Sequence, residues 1–590
     1  MVGLNISFFL PRRVVFLTKG EEFHSLNATA YPFDRSQWLN NESWVDLPDP
    51  SMPSTTISLP RKRFGEKSDM EEVSANYYSV MPRYAAVDIG SNSLRMEAAE
   101  VVPGSIPKLL ASDRQVTRLG ASVFRTGKVS GEAMELVCKV LTQMAEQYRK
   151  LEVVGVRAVA TSAIRDAANQ DEFLLKASDA IGTPVEVISG QEESRLIHLG
   201  VQSNWPHPKH KVLLVDVGGG SAETMYSECG HLKQAVSKPL GAVRLTEVFL
   251  KSDPPTPREL DRMETYIEEK LASAIRRIGR RRWDRVIATS GTASAVACAV
   301  NGISQEKEGR ADRLRASTAQ IQNLYDDLRV RDLEQRRKVT GIGPRRAEII
   351  VAGTAVLLRL LRDLQLASFY YSAAGLRDGI IADLAQRGVG AELAELDRDQ
   401  RQVAERTARR YGVSLQHARQ VASLANKLFT SLQPLHNLPP YAGKLLEAAA
   451  YLHDVGHYVS ESRHHKHSYY LVANSDLPGF TNREREFIAN LCRYHRKAPP
   501  TSDHENYQTL NADEKRTLAL LMPLLRIADN LDRSHECRVQ SLDCTIRDEQ
   551  VVLKIGSKAD VELEQWAAER GAELFREIYK RDITVARTRS

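Results

Sequence analysis

Two segments of the 590-residue chain end an apolar run on an aspartate and follow it with a tight glycine/serine turn. The first is Asp88-Ile89-Gly90-Ser91-Asn92-Ser93, the second Asp216-Val217-Gly218-Gly219-Gly220-Ser221. Glycine lets backbone approach an anion, and successive N–H groups with serine hydroxyls cradle phosphate oxygens. An aspartate cannot hold phosphate directly, but it binds Mg2+ or orients the ion's water shell. One such turn is weak evidence; a duplicated one predicts two facing turns that clamp phosphates between two lobes. Gly90, Ser91, Asn92, Ser93, Gly218, Gly219, Gly220 and Ser221 are therefore candidate phosphate binders, with Asp88 and Asp216 as candidate Mg2+ ligands.

Other polar groups stand nearby in sequence. Arg95 follows the first turn, and Arg165 lies just past a predicted strand end. Glu192 and Glu193 sit at a strand-to-helix junction, Glu223 follows the second turn, and Ser290-Gly291-Thr292 forms a third hydroxyl/glycine turn. Glu192 and Glu193 must point apart on any regular element, so at most one of them serves chemistry.

A second constellation is built on histidine. Seven of the fifteen histidines fall between 453 and 504: His453, His457, His464, His465, His467, His495 and His504. His453-Asp454 ends an apolar helix, His417 lies on an earlier helix and Asp529 on a later one. Imidazole and carboxylate together suit Mn, Fe, Zn or Mg rather than a soft-metal site. His457, four residues after His453, shares its helix face and suits a supporting role.

The elements that must position these groups follow from periodicity. From 84 to about 385, short apolar strands (153–161, 185–189, 211–217, 285–289) alternate with helical stretches such as 131–148 and 257–278, which predicts an α/β architecture of two lobes. From about 390 to 535 the pattern is nearly all helix, and 536–590 reads as strand, strand, helix, strand. Residues 1–80 mix prolines, polar residues and Arg61-Lys62-Arg63 without a sustained period and read as a disordered extension. The predicted division is 1–80, lobe I 81–205, lobe II 206–389, a helical domain 390–535 and a small α+β unit 536–590.

Composition bounds the function. At 42% hydrophobic and 26% charged, the chain is neither wholly disordered, nor collagen-like, nor a coiled-coil rod. A net charge of +6 permits an anionic ligand without requiring nucleic acid. Six cysteines without a C-x-x-C pair fit reduced thiols, hence a cytoplasmic protein. No stretch approaches the ~18 consecutive apolar residues of a spanning helix, and Pro11-Arg12-Arg13 interrupts the apolar start, so neither secretion nor a membrane anchor is expected.

The segments DIGSNSLR (88–95), ATSAIRDAAN (160–169), ISGQEESRLIHLGV (188–201), VDVGGGSAE (215–223), SGT (290–292), GIGPRRAEIIVAGTAVL (341–357) and SAAGLRDGII (372–381) resemble the exopolyphosphatase/guanosine pentaphosphate phosphatase (Ppx/GppA) family. The resemblance covers about 84 to 535. It implies the two-lobed actin/Hsp70/sugar-kinase (ASKHA, ribonuclease H-like) fold and Mg2+-dependent hydrolysis of a terminal phosphoanhydride in the interlobe cleft. It also implies that Glu193 is the general base on water, that Glu223 places water or Mg2+, and that Arg95 and Arg165 hold phosphate charge. The family usually has Thr where Ala222 stands, and Met96-Glu97 replaces a more apolar continuation. The order His417, His453-Asp454, Asp529 is similar to that of HD-domain phosphohydrolases, in which these four side chains bind a divalent metal in an all-α domain. His467 and His495 match the extra ligands of two-metal members, with His464 and His465 competing for the same role. A homodimer is usual for long members of the family.

The function expected from the resemblance is that of an exopolyphosphatase releasing orthophosphate from inorganic polyphosphate, with guanosine pentaphosphate hydrolysis as the alternative. A kinase on the same superfold would need an acceptor pocket, and a non-catalytic sensor would bind without turnover. The carboxylate pattern disfavours both. Arg276, Arg277, Arg280, Arg281, Arg282, Arg336, Arg337, Lys338, Arg345 and Arg346 are candidates to line a basic groove, or simply solvated helix faces.

Overall fold

In the computed structural model the described residues are 81–102, 105–389 and 396–588, together with three short strands near the N-terminus. Those strands, β1 (Val14–Leu17), β2 (His24–Leu26) and β3 (Ser43–Val45), pair antiparallel in the order β2-β1-β3. The rest of 1–80 lies outside the described residues, and so does the expectation of disorder there.

Tyr84-Ala85-Ala86-Val87 is an unbroken buried run, the pattern of a strand covered on both faces. It forms the centre of β4 (Arg83–Ile89), which makes an antiparallel meander with β5 (Ser93–Glu100) and β6 (Lys108–Val116). On the other side of β4, β7 (Gly155–Ala160) and then β8 (Val185–Val187) add in parallel, giving the order β6-β5-β4-β7-β8. The second lobe repeats this plan with β9 (Lys211–Val217), β10 (Ala222–Glu228), β11 (His231–Lys238), β12 (Arg285–Thr289) and β14 (Ser368–Tyr371), in the order β11-β10-β9-β12-β14. A short strand β13 (Arg315–Ser317) adds antiparallel at its edge. The duplicated turn motif is thus the sequence trace of a duplicated sheet. Each turn joins the first two strands of its meander.

Local signals set the helices. Thr256 and Glu259 form a reciprocal capping box, and Pro257 occupies the first turn of the helix Pro257–Ile278, which has the limits predicted from its periodicity. The helix Gly190–Asn204 starts at Ser189, whose side chain caps the Glu192 N–H.

The helix Leu376–Val389 folds back onto the first sheet, where Ile380 and Ile381 share a core with Tyr84, Ala86, Ala99 and Val159. It also lies directly on Gly190–Asn204. A Cβ at Gly200 would come 2.1 Å from the Gly375 carbonyl, and one at Gly379 would come 1.8 Å from that of Leu196. Glycine is needed at both positions because the two backbones touch.

Residues 396–588 form one further unit. Six main helices, Arg398–Arg410, Leu415–Ser431, Pro440–Leu452, His464–Ala473, Asn482–Tyr494 and Ala512–Asn530, precede β15 (Ser541–Ile546), β16 (Gln550–Gly556) and β17 (Asp582–Thr588). Val551, Leu553 and Phe575, from the expected unit at 536–590, share one continuous core with Leu446, Leu525 and Ile527. A three-stranded sheet needs a covering layer, and the helix Ala512–Asn530 lies against two short helices, Glu562–Arg570 and Glu573–Tyr579, that connect β16 to β17. Among the described residues, no helix is long and apolar enough to cross a membrane.

Candidate active site and metal centre

The first turn closes with the Gly90 N–H donating to the Ser93 carbonyl (3.2 Å), and the second closes identically, Gly218 to Ser221 (3.0 Å). The two turns meet face to face: a Cβ on Gly219 would lie 3.1 Å from Ser91 Cβ, and one on Gly220 would lie 2.6 Å from Ser91 Oγ. Arg244 ties the second turn to the segment after β7, donating to the Gly220 carbonyl (2.8 Å) and to Ser162 Oγ (2.9 Å) while pairing with Asp166. The Asp88 Oδ1, Ser91 Oγ and Asn92 Nδ2 atoms are buried without a hydrogen-bond partner. Three neighbouring unsatisfied polar atoms at the mouth of facing glycine turns are what a bound phosphate and its cation would satisfy.

The strand register brings the charged residues in. Asp88 stands opposite Arg95 across β4 and β5, and Asp216 opposite Glu223 across β9 and β10. Glu193 approaches on the first turn of its helix, with Arg165 Nη2 3.4 Å from its carboxylate; Arg165 also donates to the Ile188 carbonyl. Ser237 donates to Glu223 (2.7 Å) and lies against Gly190, where any Cβ would come 2.4 Å from its own. Burial raises all four acids. Glu193 is pushed up to about 7 by burial against the pull of Arg165, with Asp88 and Asp216 adding to the rise, and Asp216 is also pushed up to about 7. Asp88 is raised and Glu223 raised well above the usual carboxylate range, in Glu223 by burial and then by Glu193 and Asp216. Four converging acids that cannot all ionise at ease form a site deficient in positive charge, which fits a divalent cation at Asp88 and Asp216.

Glu192 has a different role. Its carboxylate accepts from Arg195 (2.8 and 2.9 Å), Arg157 (3.2 Å) and the Gly479 N–H (2.9 Å), so it is saturated by structural partners. Ser93 accepts a hydrogen bond from Arg95 (3.3 Å), and Ser290, in left-handed backbone at φ 82°, donates to the Val217 carbonyl (2.9 Å), so its hydroxyl serves the turn. Two cleft arginines were not singled out for this role by sequence. Arg377 acts on Asp88 and Arg95, and Arg346 acts on Asp216 from a position against Gly291. Arg336, a candidate for the basic groove, is instead buried in an ion pair with Asp253 (2.6 Å).

The histidine cluster converges inside the helical unit. Asp454 uses both oxygens. Its Oδ2 faces His417 Nε2 (3.7 Å) and His453 Nε2 (3.5 Å), and its Oδ1 faces His457, His464 and His495 Nε2 (3.4, 3.4 and 3.8 Å). Asp529 closes the first group, 3.6 Å from His417 and 3.4 Å from His453. Two donors ~2.1 Å from one ion at a tetrahedral angle stand about 3.4 Å apart, so these spacings suit shared coordination. The remote nitrogens are held by oxygen acceptors: His417 Nδ1 by Asp532 (2.8 Å), His453 by the Ala450 carbonyl (2.8 Å) and His495 by that of Cys492 (2.6 Å). These contacts aim each Nε2 at the centre. His453 is raised to about 9, its two aspartates outweighing burial, whereas burial lowers His464 to about 4 and His495 to about 3.

His467 is not part of this group. His464 opens the helix His464–Ala473 at the cluster, and His467 is carried about 4.5 Å further along the helix axis. His464 therefore stands beside His495 where His467 was expected.

A family model described as the Ppx/GppA phosphatase family matches residues 98–388, and one described as Ppx/GppA phosphatase, domain III, matches 400–569. Among solved structures, the Ppx/GppA family member of Aquifex aeolicus is 30% identical, with TM-score 0.46, covering 52% of this chain and 98% of its own. An exopolyphosphatase-like protein is 28% identical with TM-score 0.50 over 52% and 99%, and an exopolyphosphatase from Cytophaga hutchinsonii is 25% identical with TM-score 0.48 over 52% and 98%. Two family descriptions end to end, over residues 98–388 and 400–569, assign this chain to the Ppx/GppA phosphatase family.

Proposed function

We propose that this chain is a Mg2+-dependent exopolyphosphatase. The observation that carries the reading is the convergence of Glu193 with Asp88, Asp216 and Glu223 on two touching glycine turns. With the Gly90 and Gly218 N–H groups closing the turns, those of Ser91, Asn92, Gly219 and Gly220 hold the terminal phosphate, with Arg95 and Arg165 bearing its charge. Mg2+ held by Asp88 and Asp216 supplies further charge neutralisation. Glu193 takes a proton from the attacking water, whose oxygen bonds to the terminal phosphorus as the bond to the bridging oxygen breaks, releasing orthophosphate. Glu223, tied to Ser237, orients that water.

The histidine cluster is proposed as a separate divalent-metal site of the HD type, with His417, His453, Asp454 and Asp529 around one position and Asp454, His464 and His495 around a second. Imidazole and carboxylate donors suit Mn, Fe or Zn there.

The test measures phosphate release from long-chain polyphosphate and from guanosine pentaphosphate in parallel, with Mg2+, for wild type and Glu193→Ala. Faster release from polyphosphate, abolished in the variant, supports the proposal. Preference for the nucleotide replaces the substrate, and activity that survives the substitution moves the chemistry out of the cleft.

A further inference from the structure

The loop 474–481 joins the helix that opens with His464 to the helix that ends before His495, and it docks onto the first turn of the helix carrying Glu193. Asp476 Oδ1 accepts a 2.7 Å hydrogen bond from the hydroxyl of Ser189, the residue that caps that helix. Gly479 donates its N–H to Glu192, Asn482 reaches the Val187 carbonyl (3.4 Å), and Arg387 ties the Gly479 carbonyl (3.1 Å) and Glu484 (2.6 Å) to Asp383 (2.7 Å). Three residues at the helix start, Ser189, Glu192 and Glu193, are thus tied to one another or to this loop.

We infer that Asp476 is a positioning residue for the cleft chemistry, reaching from domain III to fix the Ser189 cap and through it the first helical turn that carries Glu193. A serine hydroxyl has one proton. When Asp476 takes it, a lone pair is left aimed at the Glu192 N–H, which Ser189 Oγ accepts at 3.1 Å. The Glu193 N–H donates to the Ser189 carbonyl (2.9 Å), so cap and base move together. A carboxylate at this end of the helix is also favoured by the helix dipole. Relatives matched over 98% of their own length by 52% of this chain have no room for both the two-lobed unit and domain III. The contact therefore belongs to the longer architecture, in which the second unit completes the support of the base.

The inference rests on Glu193 being the base, and the full-length chain tests both. Asp476 is on the exposed side of the seam, so its replacement leaves folding intact. Asp476→Ala is expected to lower kcat about three- to tenfold with KM and Tm unchanged, and Asp476→Asn, which keeps an acceptor for the hydroxyl, to restore kcat to within about twofold. Ser189→Ala should match Asp476→Ala, and the double variant should lose no more than either single one. A kcat of Asp476→Ala within twofold of wild type overturns the inference, as do additive losses or a failure of Asn to rescue. A fully active Glu193→Gln enzyme would instead overturn the assignment of the base, and the inference with it. A dead Glu193→Gln enzyme with unaffected Asp476→Ala rejects the positioning role alone.

Discussion

Glu192 and Glu193 are consecutive on one helix, yet Glu192 is enclosed by two arginines and a backbone N–H whereas Glu193 meets a single guanidinium at 3.4 Å. The two should separate cleanly in experiment. Glu193→Gln is expected to lower kcat by 10²-fold or more while leaving Tm unchanged. Glu192→Ala leaves Arg157 and Arg195 to share Asp383, leaves the Gly479 N–H without its acceptor and should destabilise the fold by about 1–3 kcal/mol. Thermal unfolding and kinetics on the same preparations check both.

The pH profile should carry the mark of Glu193. Its carboxyl, raised to about 7, works as a base only when deprotonated, so kcat/KM rises with pH through about 7 at low Mg2+. Positive charge nearby favours the carboxylate, so higher Mg2+ moves this limb to lower pH. A limb that stays fixed across Mg2+ concentrations would contradict the placement of the ion beside Glu193.

The ion network at the domain seam predicts a different pH effect, on stability. Asp383 is held well below the usual carboxylate range, Arg195, Arg387 and Arg157 together overcoming its burial, and Glu192 is lowered, Arg195 and then Arg157 outweighing burial. Groups with depressed values stabilise the fold above their unfolded values of about 4, and that contribution disappears as pH falls through the folded values. Tm should therefore fall more steeply below about pH 4 in wild type than in an Asp383→Asn variant.

Metal binding in domain III should be read by stoichiometry and protons. Elemental analysis after Mn or Zn loading is expected to show less metal in His464→Ala and His495→Ala and unchanged metal in His467→Ala. Because His453 is raised to about 9, loading near pH 8 should release protons measurable by calorimetry in two buffers. Loading without proton release would contradict the arrangement.

Helix contact through glycine gives a stability test remote from the chemistry. A methyl at Gly379 would meet the Leu196 carbonyl at 1.8 Å, so Gly379→Ala forces Gly190–Asn204 and Leu376–Val389 apart. The expected cost is about 1–3 kcal/mol, read by denaturant unfolding.

Legible along the chain are the two aspartate-ended strands, their glycine turns, the limits of strands such as Lys211–Val217 and helices such as Pro257–Ile278, and the clustering of histidine. Such features are local, because a buried strand needs a continuous apolar run and a turn needs glycine, and both can be read along the chain. The resemblance points to Glu193, and the packing shows what occupies Glu192 instead: Arg157, Arg195 and the Gly479 N–H, drawn from distant segments that no local pattern relates. Only the tertiary structure decided between His464 and His467, because helix phase at the cluster is set by packing against Asn482–Tyr494 and not by composition. The return of Leu376–Val389 to the first lobe, the merging of the last strands into the helical core, and the reach of Asp476 to Ser189 are long-range contacts that no window of sequence contains.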